Sequence, residues 1–185
     1  MKALAYIISA VFAYFVSGLN PAIIMSKAIY KKDIRTCGSG NPGFTNFKRV
    51  FGNKYAWFVF VLDILKGAVI SVVAGLLFRA YVGSWALGVA YEGLFAMLGH
   101  AFPIYYGFKG GKGFLVCLST VWFIDWRAGA IATAVLVIML PLTKYMSLST
   151  MSALVAGAVA VAAFGGGLAV SIMYAVCVLF VIVRH

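Results

Sequence analysis

Acidic side chains are nearly absent: the only carboxylates are Asp33, Asp63, Glu92 and Asp125, spread over 185 residues. That spacing offers no cluster for a divalent cation and no pair to divide acid and base work, so neither a metal nor a cofactor is expected. Cys37, Cys117 and Cys177 form no CxxC pair and leave an odd count, which argues against a disulfide framework. Histidine occurs only as His100 and His185. Charged residues make up 10% of the chain and hydrophobic residues 64%, with a mean hydropathy of +1.05. So little polar surface cannot cover a soluble globule, and the chain is expected in a membrane.

Apolar runs repeatedly reach the roughly 20 residues that a helix needs to cross about 30 Å of hydrocarbon. They do not resemble the alternating strands of about ten residues that build a barrel. Candidate spans cover 3–29, 55–78, 85–106, 113–124, 128–143, 148–164 and 168–183. The first is too long for a signal peptide and reads as a retained helix, bent or broken at Asn20-Pro21. One long tilted segment over 113–143 is the competing reading of the fourth and fifth.

Basic residues orient the bundle. Lys27, Lys31, Lys32, Arg35, Lys48, Arg49, Lys54, Lys109, Lys112, Lys144 and Arg184 fall on one side, against Lys2, Arg79 and Arg127 on the other. The positive-inside rule then puts the amino terminus outside and the carboxyl terminus in the cytoplasm. The expected fold is all-α, a polytopic membrane bundle of about seven transmembrane helices forming a single domain over residues 1–185. The net charge of +11 lies in short loops beside anionic lipid, with no basic domain or stripe, which excludes nucleic acid as the expected partner.

Two polar stretches interrupt the apolar text: GSGNPGFTNFKR from Gly38 to Arg49, and GHAFPIYYGFKGGKG from Gly99 to Gly113. In the second, Gly110, Gly111 and Gly113 let backbone N–H groups crowd an anion, Lys109 and Lys112 supply charge, and the next helix offers its positive end. A Walker A loop is excluded, because Gly113 stands where Ser or Thr would follow Lys112. Taken alone, KGGKG also fits a membrane-edge turn with lysines reaching to the headgroups. The first stretch adds hydroxyl and amide donors at Ser39, Asn41, Thr45 and Asn46, the forked guanidinium of Arg49, and tight turns at Gly38, Gly40 and Gly43. Donors and cations without carboxylates suit a phosphate site. Asp63 and Lys66, three apart on one helical face, read as an internal ion pair, and Glu92 as a structural partner or a group near the site. His100 either orders the glycine-lysine loop or touches phosphate.

These motifs resemble the bacterial acyl-phosphate:glycerol-3-phosphate acyltransferase family, PlsY. The resemblance rests on GSGNPGFTN with Arg49, on LDILKG from Leu62 to Gly67, and on GHAFP with FKGGKG between Gly99 and Gly113. It implies transfer of a fatty acyl group from acyl phosphate to the sn-1 hydroxyl of glycerol 3-phosphate, giving lysophosphatidate and inorganic phosphate for phospholipid synthesis. It further implies a multi-pass protein of the bacterial inner membrane, its site facing the cytoplasm, in contact with membrane lipids and with the enzyme that supplies acyl phosphate. Carried over by position, Ser39, Arg49 and His185 form the catalytic set. Gly38, Gly40, Asn41, Gly43, Thr45, Asn46, His100 and Lys109–Gly113 bind substrate. The family's third motif continues past its His to an Asn and a Glu, and here it is cut off after His185.

An acyl phosphate brings its own leaving group, so positioning and charge stabilisation suffice for much of the reaction. In that scheme Ser39 orients the glycerol hydroxyl, and His185 or a donor phosphate oxygen takes its proton. Ser39 as covalent nucleophile is the alternative. Two other classes stay open: a transporter or channel for a phosphorylated anion, and an inactive homologue.

Overall fold

The break at Asn20-Pro21 is real and serves the site. In the computed structural model, which describes residues 1–164 and 166–185, helix α1 (Lys2–Gly18) stops and α2 (Pro21–Tyr30) restarts. Pro21 lacks an N–H to satisfy, and Asn20 caps the new helix by accepting the Ile23 N–H at 3.0 Å. The Asn20 amide also donates to Pro42 O at 3.1 Å, tying this break to the first polar stretch.

Helices α3 (Phe44–Phe51), α4 (Asn53–Tyr81), α5 (Trp85–Ala101), α6 (Phe114–Ile124), α7 (Trp126–Thr143), α8 (Met146–Phe164) and α9 (Leu168–Val183) follow, and there is no strand among the described residues. Five stretches are long and apolar enough to cross a membrane: Lys2–Tyr30, Asn53–Tyr81, Trp85–Tyr106, Trp126–Thr143 and Met146–Phe164. Helices α6 and α9 are apolar but shorter, at 11 and 16 residues. All seven expected segments are therefore helical. The single-segment reading of 113–143 fails at Asp125, whose extended backbone ends α6 and whose carboxylate caps α7 by accepting the Arg127 N–H at 2.8 Å.

Packing follows small residues. On α1 the buried positions Ala5, Ser9, Ala13 and Ser17 repeat every four residues and turn inward, while Leu4, Ile7, Val11 and Phe15 stay exposed. At Gly99 of α5 an added Cβ would collide with Tyr14 O, so the backbones of α1 and α5 touch. Close approach of this kind is how apolar helices associate in lipid. Helix α6 rises only about 16 Å and is sheathed by its neighbours, with 116–121 buried throughout. Between α4 and α5, Ser71 Oγ donates to Glu92 Oε1 at 2.8 Å, and Glu92 is fully buried there.

The sequence gives no separate sign of α3, because eight residues cannot make a stable helix alone. It forms by burying Phe47 in a small core with Ala22, Ile23, Ile34, Ala56 and Val59. That core seats the first polar stretch on α2 and α4.

Candidate active site

The first polar stretch is built around Asn46. From α3 its side chain reaches back, accepting the Ser39 N–H at 2.9 Å and donating to Cys37 O at 3.0 Å. Gly38 has φ +58°, and a Cβ there would land on Asn46 Oδ1, so only glycine allows the turn. The turn leaves Ser39 exposed, its hydroxyl without a protein partner among the described residues. Arg49 lies in the last turn of α3, also exposed and without an ion-pair partner among the described residues.

The glycine-lysine loop folds back on the end of α5. Gly110 N–H donates to Ala101 O at 3.0 Å and Gly111 N–H to His100 O at 3.1 Å. A Cβ at Gly110 would strike His100 O, and one at Gly111 would strike His100 Nε2. Two arginines pin the loop from outside. Arg35 donates to Tyr106 O at 2.8 Å and Lys109 O at 3.2 Å, and Arg184 donates to Gly111 O at 3.3 Å. Arg35 is itself anchored on Asp33 at 2.7 Å, and that contact holds the Asp33 carboxyl well below the usual carboxylate range.

These loops meet at a cavity of about 510 Å³. Ser39, Asn41, Gly43, Thr45, Asn46 and Arg49 line it from the first stretch, Lys112 and Gly113 from the second, with His100 and His185. Phe60, Phe114, Leu115, Leu136 and Met146 line it from four apolar helices. A phosphate and an aliphatic chain would each find matching walls here. The amino end of α6, opened by Gly113 at φ +88°, adds the positive end of a helix.

His185 lines the cavity from just past the end of α9. Its Nδ1 faces Val181 O at 3.1 Å and its Nε2 lies 3.3 Å from Thr150 Oγ1. A ring nitrogen facing a carbonyl must carry the proton, which leaves Nε2 unprotonated, an acceptor facing the Thr150 hydroxyl. Burial lowers the His185 pKa from its ordinary value, the Val181 hydrogen bond opposes that, and Lys112 lowers it further. Lys112 donates to His185 O at 3.4 Å, and its own pKa is lowered by burial and then by Arg184.

Not every expected residue shares this cavity. Lys109, Gly110 and Gly40 line a neighbouring one of about 530 Å³, together with Asp33, Arg35, Thr36, Tyr106 and Gly107. Gly38 and Gly111 line neither and act through the backbone turns they permit. Lys109 and Lys112, expected at one site, thus border different cavities, with the turning backbone of Gly110 and Gly111 between them. Sequence reading also overlooked Asp63, Phe44, Ser147 and Thr150 in the cavity wall. Ser147 and Thr150 belong to α8, far along the chain, and no local pattern distinguishes them. Asp63 faces the cavity while its Oδ1 lies 2.8 Å from Lys66 Nζ, so the expected ion pair exists and borders the site. That contact is an ion pair by distance, its angle falling off the hydrogen-bond line.

Helices of spanning length around a cavity of glycine turns, cations and apolar walls define a multi-pass membrane protein with a site suited to a phosphorylated amphiphile. Residues 7–185 match the family described as glycerol-3-phosphate acyltransferase. A glycerol-3-phosphate acyltransferase of Francisella philomiragia is 37% identical over 175 residues, covering 95% of this chain and 83% of that protein. One from Thermoanaerobacter pseudethanolicus is 39% identical over 146 residues, covering 79% and 71%. Among solved structures, PlsY, an integral membrane glycerol 3-phosphate acyltransferase, superposes in its glycerol 3-phosphate form with TM-score 0.88 at 28% identity, over 97% of this chain and 88% of that one. Its lysophosphatidic acid form gives 0.85. The chain belongs to the glycerol-3-phosphate acyltransferase family.

Proposed function

We propose that this protein transfers a fatty acyl group from acyl phosphate to the sn-1 hydroxyl of glycerol 3-phosphate, releasing lysophosphatidate and inorganic phosphate. The supporting observation is the cavity itself, which joins Ser39, Arg49, Lys112 and His185 to apolar side chains of four helices. Arg49, Lys112 and the N–H groups at the start of α6 hold the phosphates. Ser39 orients the glycerol hydroxyl toward the acyl carbon. The new ester bond forms as the acyl–phosphate bond breaks, and the hydroxyl proton passes to His185 Nε2 and on to the departing phosphate. Lys109, in the neighbouring cavity, is given no direct part.

The site faces the cytoplasm, with the amino terminus outside, because basic side chains concentrate in the loops that build it. A bacterial inner membrane would bring it lipid-soluble donor and aqueous acceptor from the same side, and an enzyme making acyl phosphate would feed it. The test is purified protein in lipid vesicles with palmitoyl phosphate and labelled glycerol 3-phosphate. Lysophosphatidate from the native chain, with loss of at least about a hundredfold in Ser39→Ala and Arg49→Ala, is expected. A rapid quench that traps an acyl-enzyme on Ser39 would replace orientation by covalent catalysis. Substrate uptake without product would replace both by transport.

A further inference from the structure

His100 lies in the last turn of α5 and is 5% exposed, yet it lines the cavity. Its Nδ1 lies 3.0 Å from Lys66 Nζ, and its Nε2 has no hydrogen-bond partner among the described residues. Lys66 comes from the middle of α4 and is itself buried. Beside His100 it faces two oxygens: Asp63 Oδ1 at 2.8 Å and Leu19 O, to which it donates at 3.1 Å. An ammonium carries three N–H groups and no lone pair, and here it faces Leu19 O and His100 Nδ1 as hydrogen-bond partners and Asp63 as its ion-pair partner. Lysine is the stronger base of the two by about four pKa units in water, and the Asp63 carboxylate lies beside it. Nδ1 of His100 must then be the acceptor. The ring is neutral, and its single proton sits on Nε2.

That N–H has no protein acceptor among the described residues, and the ring borders the cavity, so a ligand there can supply one. Gly111 lies where a Cβ would press on Nε2, so the absence of a side chain leaves the ring edge accessible from the glycine-lysine loop. The same loop carries Lys112 into the cavity. We infer that Lys66, held by Asp63, is a positioning residue that locks His100 in its Nε2–H tautomer, so that a neutral imidazole donates a hydrogen bond to a phosphate oxygen of the bound substrate. This deepens the reading of the cavity as a glycerol 3-phosphate site and rests on it. It gives His100 the phosphate contact that the sequence left undecided, and it makes the buried ion pair of α4 part of substrate recognition.

The chain has only two histidines, which makes the test direct. Full-length protein carrying ¹⁵N-histidine in lipid nanodiscs is compared with a His185→Gln variant to assign the His100 nitrogens. At pH 7 the native His100 should show an unprotonated Nδ1 and a protonated Nε2, and glycerol 3-phosphate should shift the Nε2 resonance. A shift with palmitoyl phosphate alone would also support the lock while assigning the contact to the donor's phosphate. In Lys66→Met the nitrogens should report mixed tautomers, and KM for glycerol 3-phosphate should rise about tenfold, the loss of one hydrogen bond to a charged group, with a smaller change in kcat. His100→Ala should show a similar rise. His100→Gln, whose amide nitrogen reaches the Nε2 position, should recover most of it. A proton on Nδ1, an imidazolium in the native chain, or an Nε2 resonance indifferent to both phosphates would overturn the inference. These spectra decide the matter even if Lys66→Met does not fold. A phosphate-induced Nε2 shift in protein that makes no lysophosphatidate would support the lock and remove the acyl-transfer reading.

Discussion

Lys109 and Lys112 look interchangeable in KGGKG, and the fold makes them unequal. Lys112 is half-buried, points into the cavity shared by Ser39, Arg49 and His185, and has its pKa lowered by burial. Lys109 is exposed and borders the neighbouring cavity, where the Asp33 carboxylate already balances Arg35. A charge-assisted hydrogen bond to phosphate in a partly buried site contributes about 1.5–3 kcal/mol. Lys112→Met should therefore raise KM for glycerol 3-phosphate by about tenfold to a hundredfold. An exposed charge acting across solvent contributes about 0–1 kcal/mol, so Lys109→Met should change KM by no more than about fivefold. The assay is initial-rate lysophosphatidate formation in vesicles at saturating palmitoyl phosphate, with glycerol 3-phosphate varied. Both variants keep the loop's glycines and main-chain bonds, and folding can be confirmed by unchanged thermal unfolding in detergent. Equal losses, or a larger loss for Lys109→Met, would refute the separation of the two cavities.

Other residues give independent tests. Asn46→Ala removes both bonds that shape the Ser39 turn from a nearly fully buried site, which should cost about 1–3 kcal/mol and lower both the unfolding temperature and kcat. Protonation of His185 would remove the proposed base, and burial keeps its pKa below the ordinary 6.5; the acid limb of kcat/KM should lie below pH 6.5. Because Lys112 also lowers that pKa, Lys112→Met should move the limb to higher pH. Gly99→Ala drives a Cβ into Tyr14 O, so α1 and α5 must separate, and thermal unfolding in detergent should show a loss of about 1–3 kcal/mol.

Much of this architecture was legible because membrane spans announce themselves by length and apolarity. All seven segments proved helical, and the break at Asn20-Pro21 was readable from proline's missing N–H. Helix α3 was not legible, since its stability comes from Phe47 entering a core assembled from three other segments, information absent from eight residues of sequence. The site divides along the same line. Local chemistry was enough to pick out Ser39, Arg49 and Lys112, the family resemblance added His185, and the fold brings all four to one cavity. It could not separate Lys109 from Lys112, because that depends on how Arg35 and Arg184 pin the loop from distant parts of the chain. Nor could it see that His100 would meet Lys66, 34 residues away in sequence, at 3.0 Å.

The measurement that bears most directly on the proposed reaction is a donor comparison. Purified protein in vesicles receives labelled glycerol 3-phosphate with either palmitoyl phosphate or palmitoyl thioester, and lysophosphatidate is separated and its acyl position determined. Product from palmitoyl phosphate alone, acylated at sn-1, is expected. Product from the thioester in its place, or acylation at the second hydroxyl, would contradict the reaction proposed for this cavity.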